Sequence, residues 1–205
     1  MRLVVGLGNP GSGYAATRHN VGVRVLERFA RAHGITLDET RFGGAYGRGA
    51  LDAVCGGAPV EVGLLAPATF MNRSGDAVSA ALSALAIDDP ADLWVALDDV
   101  DLPFGRLRLR PGGGAGGHRG MTHIIERLGR HDFPRLRFGV GRPDAAMETA
   151  DYVLRPFGAD EEAALPALLA HSAEALTVAL HEGVASAMNR FNRELDPADE
   201  AGGDS

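Results

Sequence analysis

Two glycine-rich turns and one acidic strand end hold the residues of this chain that could do chemistry. The first turn, residues 6–11, leads to His19, and the second, residues 112–117, leads to His118. Asp98 directly follows an apolar run that predicts a buried strand. A histidine oriented by a carboxylate is the usual general base, because the carboxylate fixes the ring tautomer and stabilises imidazolium. We therefore expect His19 and Asp98 to act together as a base.

The base is expected to act on water, because no serine or cysteine sits in a nucleophile elbow. Two asparagines, Asn9 and Asn72, are polar without being charged, so they could hold that water or stabilise an oxyanion. Asparagine is equally common as the first residue of an Asx turn. The residues alone leave both roles open.

The acids after the buried strand allow a second chemistry. Asp98, Asp99 and Asp101 could together ligate Mg²⁺, which prefers clustered carboxylates. Alternatively, Asp99 and Asp101 are turn residues before Pro103, and only one acid is functional. A magnesium-dependent enzyme acting on nucleotides therefore stays open as an alternative.

The glycine spacing of each turn matches a known nucleotide-binding motif, but the residues around each turn do not. Gly6-x-Gly8-x-x-Gly11 matches the dinucleotide fingerprint, yet its helix should begin at the third glycine, and here about ten residues intervene. Residues 112–117 match the glycine spacing of a Walker loop, but His118 and Arg119 stand where lysine and serine or threonine are required. Neither motif supports a nucleotide cofactor.

The charge of the chain is unevenly distributed. The net charge is −7, and all basic residues are arginine. Residues 106–142 nevertheless contain nine arginines against two acids. The planar arginine fork suits phosphate, although genome composition explains the lack of lysine more simply. A nucleic acid partner is thus compatible with this segment despite the acidic total.

Length and composition predict a soluble, cytoplasmic protein with one core. The chain has 205 residues, 45% of them apolar, and it shows no signal peptide and no apolar run that we expect to span a bilayer. Cys55 is the only cysteine, which excludes an internal disulfide, and we expect a buried thiol there. We expect residues 1–195 to form one domain and residues 196–205 to form an acidic, disordered tail.

Strand and helix patterns alternate along the chain, which predicts an α/β fold. The predicted strands cover residues 3–7, 45–54, 60–65, 93–97, 106–110 and 136–140, with the second and third forming a hairpin and the fifth half exposed or at an edge. The predicted helices cover residues 21–33, 74–85 with Ser74 as its cap, 121–128, 160–181 and 184–191.

Six segments, taken in order, resemble bacterial peptidyl-tRNA hydrolases. They are residues 5–11, 14–22, 67–75, 98–103, 112–120 and 135–143. The resemblance implies a monomeric, single-domain α/β fold with a mixed, largely parallel twisted sheet flanked by helices. It also implies a hydrolase without metal or cofactor, which cuts the ester between a peptide and the 3′ ribose of tRNA. The implied partner is peptidyl-tRNA, contacted at its acceptor stem and 3′ end.

The resemblance also assigns roles to single residues. The catalytic histidine falls on His19, its orienting aspartate on Asp98, and the asparagines that position the substrate on Asn9 and Asn72. The residues that line the groove for the peptide and terminal adenosine fall on Tyr14, Phe70 and Met71. The basic pair that binds the 5′ phosphate of tRNA falls on Arg110 and Arg137.

One position departs from the family pattern. After Gly117 and His118 the family usually has asparagine, whereas this chain has Arg119. The asparagine's role cannot be transferred to Arg119, for which we expect substrate binding instead. An RNA-binding scaffold with reduced or lost catalysis is therefore the alternative function. The presence of both His19 and Asp98 favours catalysis, because a binding module would not need the pair.

Overall fold

The computed structural model describes residues 1–53, 58–144 and 146–193. Its strands are β1 (Arg2–Gly6), β2 (Glu39–Arg41), β3 (Gly44–Leu51), β4 (Val60–Pro67), β5 (Leu93–Asp99), β6 (Leu107–Arg110) and β7 (Arg135–Gly139). Its helices are α1 (Val21–Ala32), α2 (Ser74–Leu85), α3 (Arg119–Leu128), α4 (Thr149–Val153), α5 (Ala159–Glu182) and α6 (Val184–Phe191).

The strands form one mixed sheet in the order β2-β3-β4-β1-β5-β7-β6. The four central strands β4, β1, β5 and β7 are parallel, and the pairs at both edges are antiparallel. The prediction of a single-domain α/β fold with a mixed sheet is therefore confirmed. Because β1, β5 and β7 run parallel, their carboxyl ends lie at one edge, where open α/β sheets place their sites.

Helices cover both faces of the sheet and bury a separate apolar layer on each. On one face Val4, Trp94 and Phe138 pack with side chains of α1, α5 and α6. On the other face Val5 and Leu97 pack with side chains of α2 and α3. Alternate residues of each central strand point to opposite faces, so these strands read as continuous apolar runs. The central strands are consequently rigid supports for whatever follows their ends.

The start of α1 lies unusually close to the sheet, and Gly22 allows it. A Cβ at this position would lie 2.4 Å from the carbonyl oxygen of Ala96 and 2.7 Å from that of Leu7. Both neighbours are backbone atoms of fully buried residues, one in β5 and one directly after β1, so neither can move away cheaply. The short 3₁₀ turn Arg18–Asn20 precedes α1 directly and is therefore brought against the ends of β1 and β5.

The structure corrects several local predictions. Ser74 is the first residue of α2 rather than its cap, and its hydroxyl donates to the carbonyl of Met71 at 2.9 Å. The short elements β2 and α4 were not predicted, because three to five residues carry too little periodicity. The hairpin, the edge position of β6 and the helices from α1 to α6 other than α4 match their predictions within a few residues. Cys55 and the acidic tail lie outside the described residues.

The expectation that no segment could span a bilayer needs a correction as well. By length and composition alone, the 24-residue helix α5 is long and apolar enough to cross a membrane. Half of that stretch is buried inside the protein, where Leu165, Leu169 and Leu176 pack in the core beside α1. In this fold α5 is a core helix.

Candidate active site

The carboxylate of Asp98, near the end of β5, brings two histidines together. Its Oδ1 accepts a hydrogen bond from His19 Nδ1 at 2.9 Å and another from His118 Nε2 at 3.0 Å. The two rings lie 4.8 Å apart between centroids. All three side chains are at least nine-tenths buried. The predicted pair of His19 and Asp98 therefore contacts directly, and it has a third member, His118.

The hydrogen-bond partners of each ring determine its tautomer. His118 caps α3, and its Nδ1 accepts a hydrogen bond from the N–H of Met121 at 3.1 Å. An accepting Nδ1 leaves the proton on Nε2, which donates to Asp98. Ionised Asp98 is an acceptor only, so His19 donates to it from Nδ1. The Nε2 of neutral His19 consequently carries a lone pair, as a general base requires.

The pKa of Asp98 lies well below its ordinary value. Burial by itself raises the pKa of this carboxyl, but the charge interactions with His118 and His19 and the two hydrogen bonds outweigh that effect. Asp98 is thus ionised throughout the neutral range. A fixed negative charge next to His19 Nδ1 stabilises imidazolium when Nε2 takes a proton.

Asn9 forms hydrogen bonds with Asn20, the residue that follows His19. The backbone N–H of Asn9 donates to Asn20 Oδ1, and Asn20 Nδ2 donates to the carbonyl of Asn9, both at 2.9 Å. Asn9 Oδ1 accepts from the N–H of Met71 at 2.9 Å. With its oxygen so used, the side chain of Asn9 offers Nδ2 as a donor. This contact argues against a simple Asx turn at Asn9.

The other residues predicted to bind substrate are placed less uniformly. Phe70 is 58% exposed, Tyr14 is half-buried, and Asn72 is exposed in the 3₁₀ turn Met71–Arg73. The side chain of Met71 is buried in the apolar layer under α2 and α3, so what it offers the site is its backbone. A Cβ on Gly120 would lie 2.5 Å from Met71 Sδ and 3.1 Å from His118 Cε1, so this turn adjoins the histidines.

The predicted phosphate-binding arginines belong to a larger set on one face of the sheet. In the antiparallel pair of β6 and β7, Arg110 lies opposite Arg135 and Arg108 lies opposite Arg137. Residues directly opposite each other share a face, and like charges there are destabilising. The predicted pair of Arg110 and Arg137 is therefore diagonal. An anionic ligand would relieve the repulsion within this four-arginine face, Arg108, Arg110, Arg135 and Arg137.

Buried Arg135 holds the second glycine turn in place. Its Nη1 donates to the carbonyls of Gly113 and Gly114 at 2.8 and 2.9 Å, and its Nη2 donates to that of His131 at 3.0 Å. Burial, together with the charge of Arg137, lowers the pKa of Arg135 to about 10, so it stays charged at neutral pH. The glycine turn thus folds around a positive charge that no carboxylate neutralises among the described residues.

Asp99 forms an ion pair with one member of the four-arginine face, Arg137. Its Oδ2 pairs with Arg137 Nε, and its Oδ1 accepts from the N–H of Asp101 at 2.9 Å. Arg137 Nη2 lies 3.9 Å from the position of a Cβ on Gly116, beside the glycine turn. Pairing through Nε therefore holds the guanidinium with its Nη2 end toward that turn.

Arg119 is the first residue of α3 and is exposed. It follows His118 directly, so its backbone is fixed next to the two histidines. No contact of its side chain is seen within the described part of the chain. The structure accordingly leaves Arg119 available to a ligand at the rim of the site.

The atoms that could hold a metal ion are the same ones that form the hydrogen bonds. Within residues 1–53, 58–144 and 146–193, the ligand atoms of His19, Asp98 and His118 lie within 4.8 Å of one another. A metal ion would have to displace the protons from both ring nitrogens. Asp99 and Asp101 pair instead with Arg137 and Arg142, so the three acids do not converge as a magnesium site would require.

The comparison with known proteins decides the family. A family model described as peptidyl-tRNA hydrolase matches residues 3–199. This chain belongs to the peptidyl-tRNA hydrolase family. It is 49% identical over 191 residues to the peptidyl-tRNA hydrolase of Symbiobacterium thermophilum, covering 93% of this chain and 98% of that one. It is 47% identical over 192 residues to that of Chloroflexus aggregans, covering 94% of this chain and 99% of that one.

The fold of a solved peptidyl-tRNA hydrolase is also similar. The crystal structure of the enzyme from Acinetobacter baumannii superimposes with a TM-score of 0.83 and 37% identity, covering 94% of each chain. The architecture described above is therefore that of the peptidyl-tRNA hydrolase family.

Sequence reasoning missed residues that support this family's site from a distance. His118 was named only as the residue that follows the second glycine turn, and it was given no role. The signal that could have found it is that His118, like His19, comes after a glycine-rich turn. Asn20 bonds to the backbone of Asn9, 11 positions away, and Arg135 bonds to the carbonyls of Gly113 and Gly114, 22 and 21 positions away. No local pattern indicates such contacts.

Proposed function

We propose that this chain hydrolyses the ester between a peptide, or an N-blocked aminoacyl group, and the 3′ ribose of tRNA, releasing free tRNA. The observation that carries the proposal is the hydrogen bond from His19 Nδ1 to Asp98, which leaves Nε2 unprotonated. A base in that state, at the carboxyl end of parallel strands, is suited to activate water.

The chemistry follows from the donors and acceptors present. Water attacks the ester carbonyl carbon while His19 Nε2 takes its proton, and Asp98 stabilises the imidazolium formed. Asn9 Nδ2 donates to the oxygen on which negative charge develops. When the tetrahedral intermediate collapses, the bond from carbon to the ribose 3′ oxygen breaks, and the imidazolium returns the proton to that oxygen. The base is thus regenerated.

The substrate is held by two further groups of residues. Tyr14, exposed Phe70 and Asn72 contact the peptide and the 3′ end of the tRNA, with the backbone of Met71 fixed by Asn9. Arg110 and Arg137 bind the 5′ phosphate of the acceptor stem, supported by the repulsion that an anion relieves on the four-arginine face. Arg119 donates to a phosphate or carbonyl at the rim.

The same proposal covers the conditions under which the chain acts. We infer that the chain acts as a cytoplasmic monomer. We also infer that it needs no metal and no cofactor, since water, one base and neutral donors complete the reaction above. Family membership favours this enzyme over an RNA-binding scaffold, and so does the arrangement of His19, Asp98 and His118 around one carboxylate oxygen.

Single-turnover hydrolysis of an N-acetylated aminoacyl-tRNA tests the proposal. The chain should release tRNA at the same rate with and without excess chelator. His19→Ala should lower the rate constant by about 10²- to 10⁴-fold, the usual contribution of a general base. His171→Ala is the matched control, because His171 lies on α5 and pairs with Glu174 instead. Near wild-type turnover of His19→Ala would refute the assignment.

A further inference from the structure

Arg18, the residue before His19, is buried by a set of contacts that the reaction above does not use. Its Nη1 donates to the carbonyl of Pro156 at 2.6 Å, and its Nη2 donates to Glu161 Oε2 at 2.6 Å. The side chain is 10% exposed. An arginine so enclosed cannot serve as a surface contact for RNA.

Aromatic rings enclose the same guanidinium. Arg18 Cζ lies 4.4 Å from the ring centroid of Tyr152 and 5.2 Å from that of Phe157. Cation–π contacts of this kind become stronger when the cation is shielded from water. Tyr152 in turn donates its hydroxyl proton to the carbonyl of Val140 at 2.7 Å, which connects it to the end of β7. The guanidinium therefore has neighbours that are themselves fixed.

The same segment also holds the backbone of Arg18 and of Thr17 before it. The N–H of Arg18 donates to the carbonyl of Arg155 at 3.1 Å, and Thr17 forms an isolated bridge with Pro156. Glu161, the acid that pairs with Arg18, also accepts from the N–H of Gly158 at 2.7 Å and so caps α5. The 3₁₀ turn with His19 is thereby fastened to the start of α5, more than 130 residues away in sequence.

The last residue of the turn, Asn20, is held by its two hydrogen bonds with Asn9, so the attachment of Arg18 fixes the opposite end of the turn. The turn spans only three residues, and no side chain caps it. Among the described residues, the ring of His19 has one side-chain hydrogen bond, to Asp98, so its direction also depends on where the backbone of the turn lies. A displacement of about 1 Å at a reacting group can cost about 10²-fold in rate.

We propose that Arg18 is a positioning residue for the base: through Glu161, Pro156 and Tyr152 it fixes the turn that aims His19 Nε2 at the water. The inference rests on the proposed hydrolysis, and it adds α4 and the start of α5 to the parts that determine the rate. Arg18 is not among the residues proposed to bind substrate, so its loss should leave KM nearly unchanged.

The main test compares Arg18→Met with Arg24→Met. Arg24 forms a two-bond pair with Glu162, so it also joins α1 to α5, but it does not touch the turn with His19. Arg18→Met should lower kcat about 10- to 100-fold with KM changed less than about threefold, whereas Arg24→Met should leave both near wild type. A loss shared equally by the two variants would overturn the proposal.

A second background separates positioning from a general loss of structure. If Arg18 acts through His19, then adding Arg18→Met to His19→Ala should not lower the residual rate further, while adding it to Arg110→Gln should lower kcat by the full factor. A further loss in the His19→Ala background, matching a loss of folded protein by circular dichroism, would show a structural role only. Arg18→Lys, which keeps the charge and one donor, should recover part of kcat.

A spectroscopic readout keeps this test independent of the proposed activity. In wild type and Arg24→Met, proton–nitrogen NMR of the imidazoles should show the His19 Nδ1–H bound to Asp98. In folded Arg18→Met that signal should broaden or move. An unchanged His19 signal would overturn the positioning role even if no substrate is hydrolysed, whereas a changed signal without turnover by wild type would fault the proposed function alone.

Discussion

Asp98 and Asp99 are neighbours in β5 that serve opposite faces of the sheet. Asp98 accepts hydrogen bonds from His19 and His118, and Asp99 pairs with Arg137 on β7. Successive residues of a strand point to opposite sides of the sheet. One carboxylate can therefore hold His19, the proposed base, while its neighbour holds Arg137, a proposed phosphate-binding residue. One buried strand end therefore fixes the relative position of the two sites.

The lowered pKa of Asp98 predicts how stability depends on pH. A carboxyl whose pKa is lower in the folded than in the unfolded state contributes stability above its unfolded value of about 4, and this contribution is lost as pH falls through the folded value. The difference in unfolding free energy between wild type and Asp98→Asn should thus be largest near pH 7 and shrink below about pH 4. Urea unfolding from pH 3 to 7 measures it, with exposed Asp88→Asn as control. A constant difference would contradict the prediction.

His118→Ala should lower kcat about 10- to 100-fold with little change in KM. The reason is that His118 supplies one of the two N–H donors that hold Asp98, and a hydrogen bond to a charged group is worth about 1.5–3 kcal/mol. His123→Ala is the matched control, because His123 also accepts a backbone N–H, from Gly75, but does not touch Asp98. Steady-state kinetics of both variants decide the matter. Equal effects would mean that His118 only caps α3.

Neutralising Arg110 or Arg137 should mainly raise KM for a tRNA substrate with a 5′ phosphate. Each lost phosphate contact should flatten the dependence of log KM on log salt by a slope of about one or less. Arg108→Gln should flatten it too, because Arg108 lies opposite Arg137 on the same face. A substrate with a 5′ hydroxyl should be indifferent to the changes at Arg110 and Arg137, and Arg31→Gln on α1 serves as control. Equal losses on both substrates would count against the phosphate site.

Arg119→Asn should raise both kcat and KM. The guanidinium only donates hydrogen bonds, whereas an asparagine amide donates and accepts, so the variant can hold a water that the wild type cannot. The lost charge removes an attraction for phosphate at the rim. Kinetics with N-acetylated aminoacyl-tRNA test both effects. If neither constant changes, the Arg119 side chain faces solvent in the complex. A wild type that binds tRNA without turnover and gains hydrolysis on this change would support the scaffold alternative.

Gly22→Ala should destabilise the fold by about 1–3 kcal/mol, the usual cost of overpacking a buried position. The new methyl group would meet the backbone oxygens of Ala96 and Leu7. Because α1 must then move off the sheet next to His19, kcat should fall as well. Gly13→Ala is a fair comparison, since a Cβ there meets nothing within 4 Å. Denaturant unfolding and kinetics of both variants measure the effect, and unchanged stability of Gly22→Ala would contradict it.

Local patterns were enough to predict most of the fold and part of the site. Strand and helix periodicities located the central strands and the long helices, because a buried strand or amphipathic helix must repeat its apolar residues at a fixed interval. Short elements such as β2 and α4 escaped, since three to five residues do not complete a period. The predicted contact between His19 and Asp98 is present, because the turn with His19 and the end of β5 lie at the same edge of the parallel strands.

By itself, then, the sequence determined which residue types are present at the strand ends, the α/β alternation, and the resemblance that names the family. Only the tertiary structure decided that His118 shares Asp98 with His19, that Arg108 rather than Arg110 faces Arg137, and that Arg18 is enclosed by α4 and α5. These relationships join residues 20 to 143 positions apart. Strand register and helix packing determine such contacts, and both depend on burial across the whole core. The spacing of apolar residues within one segment does not contain that information.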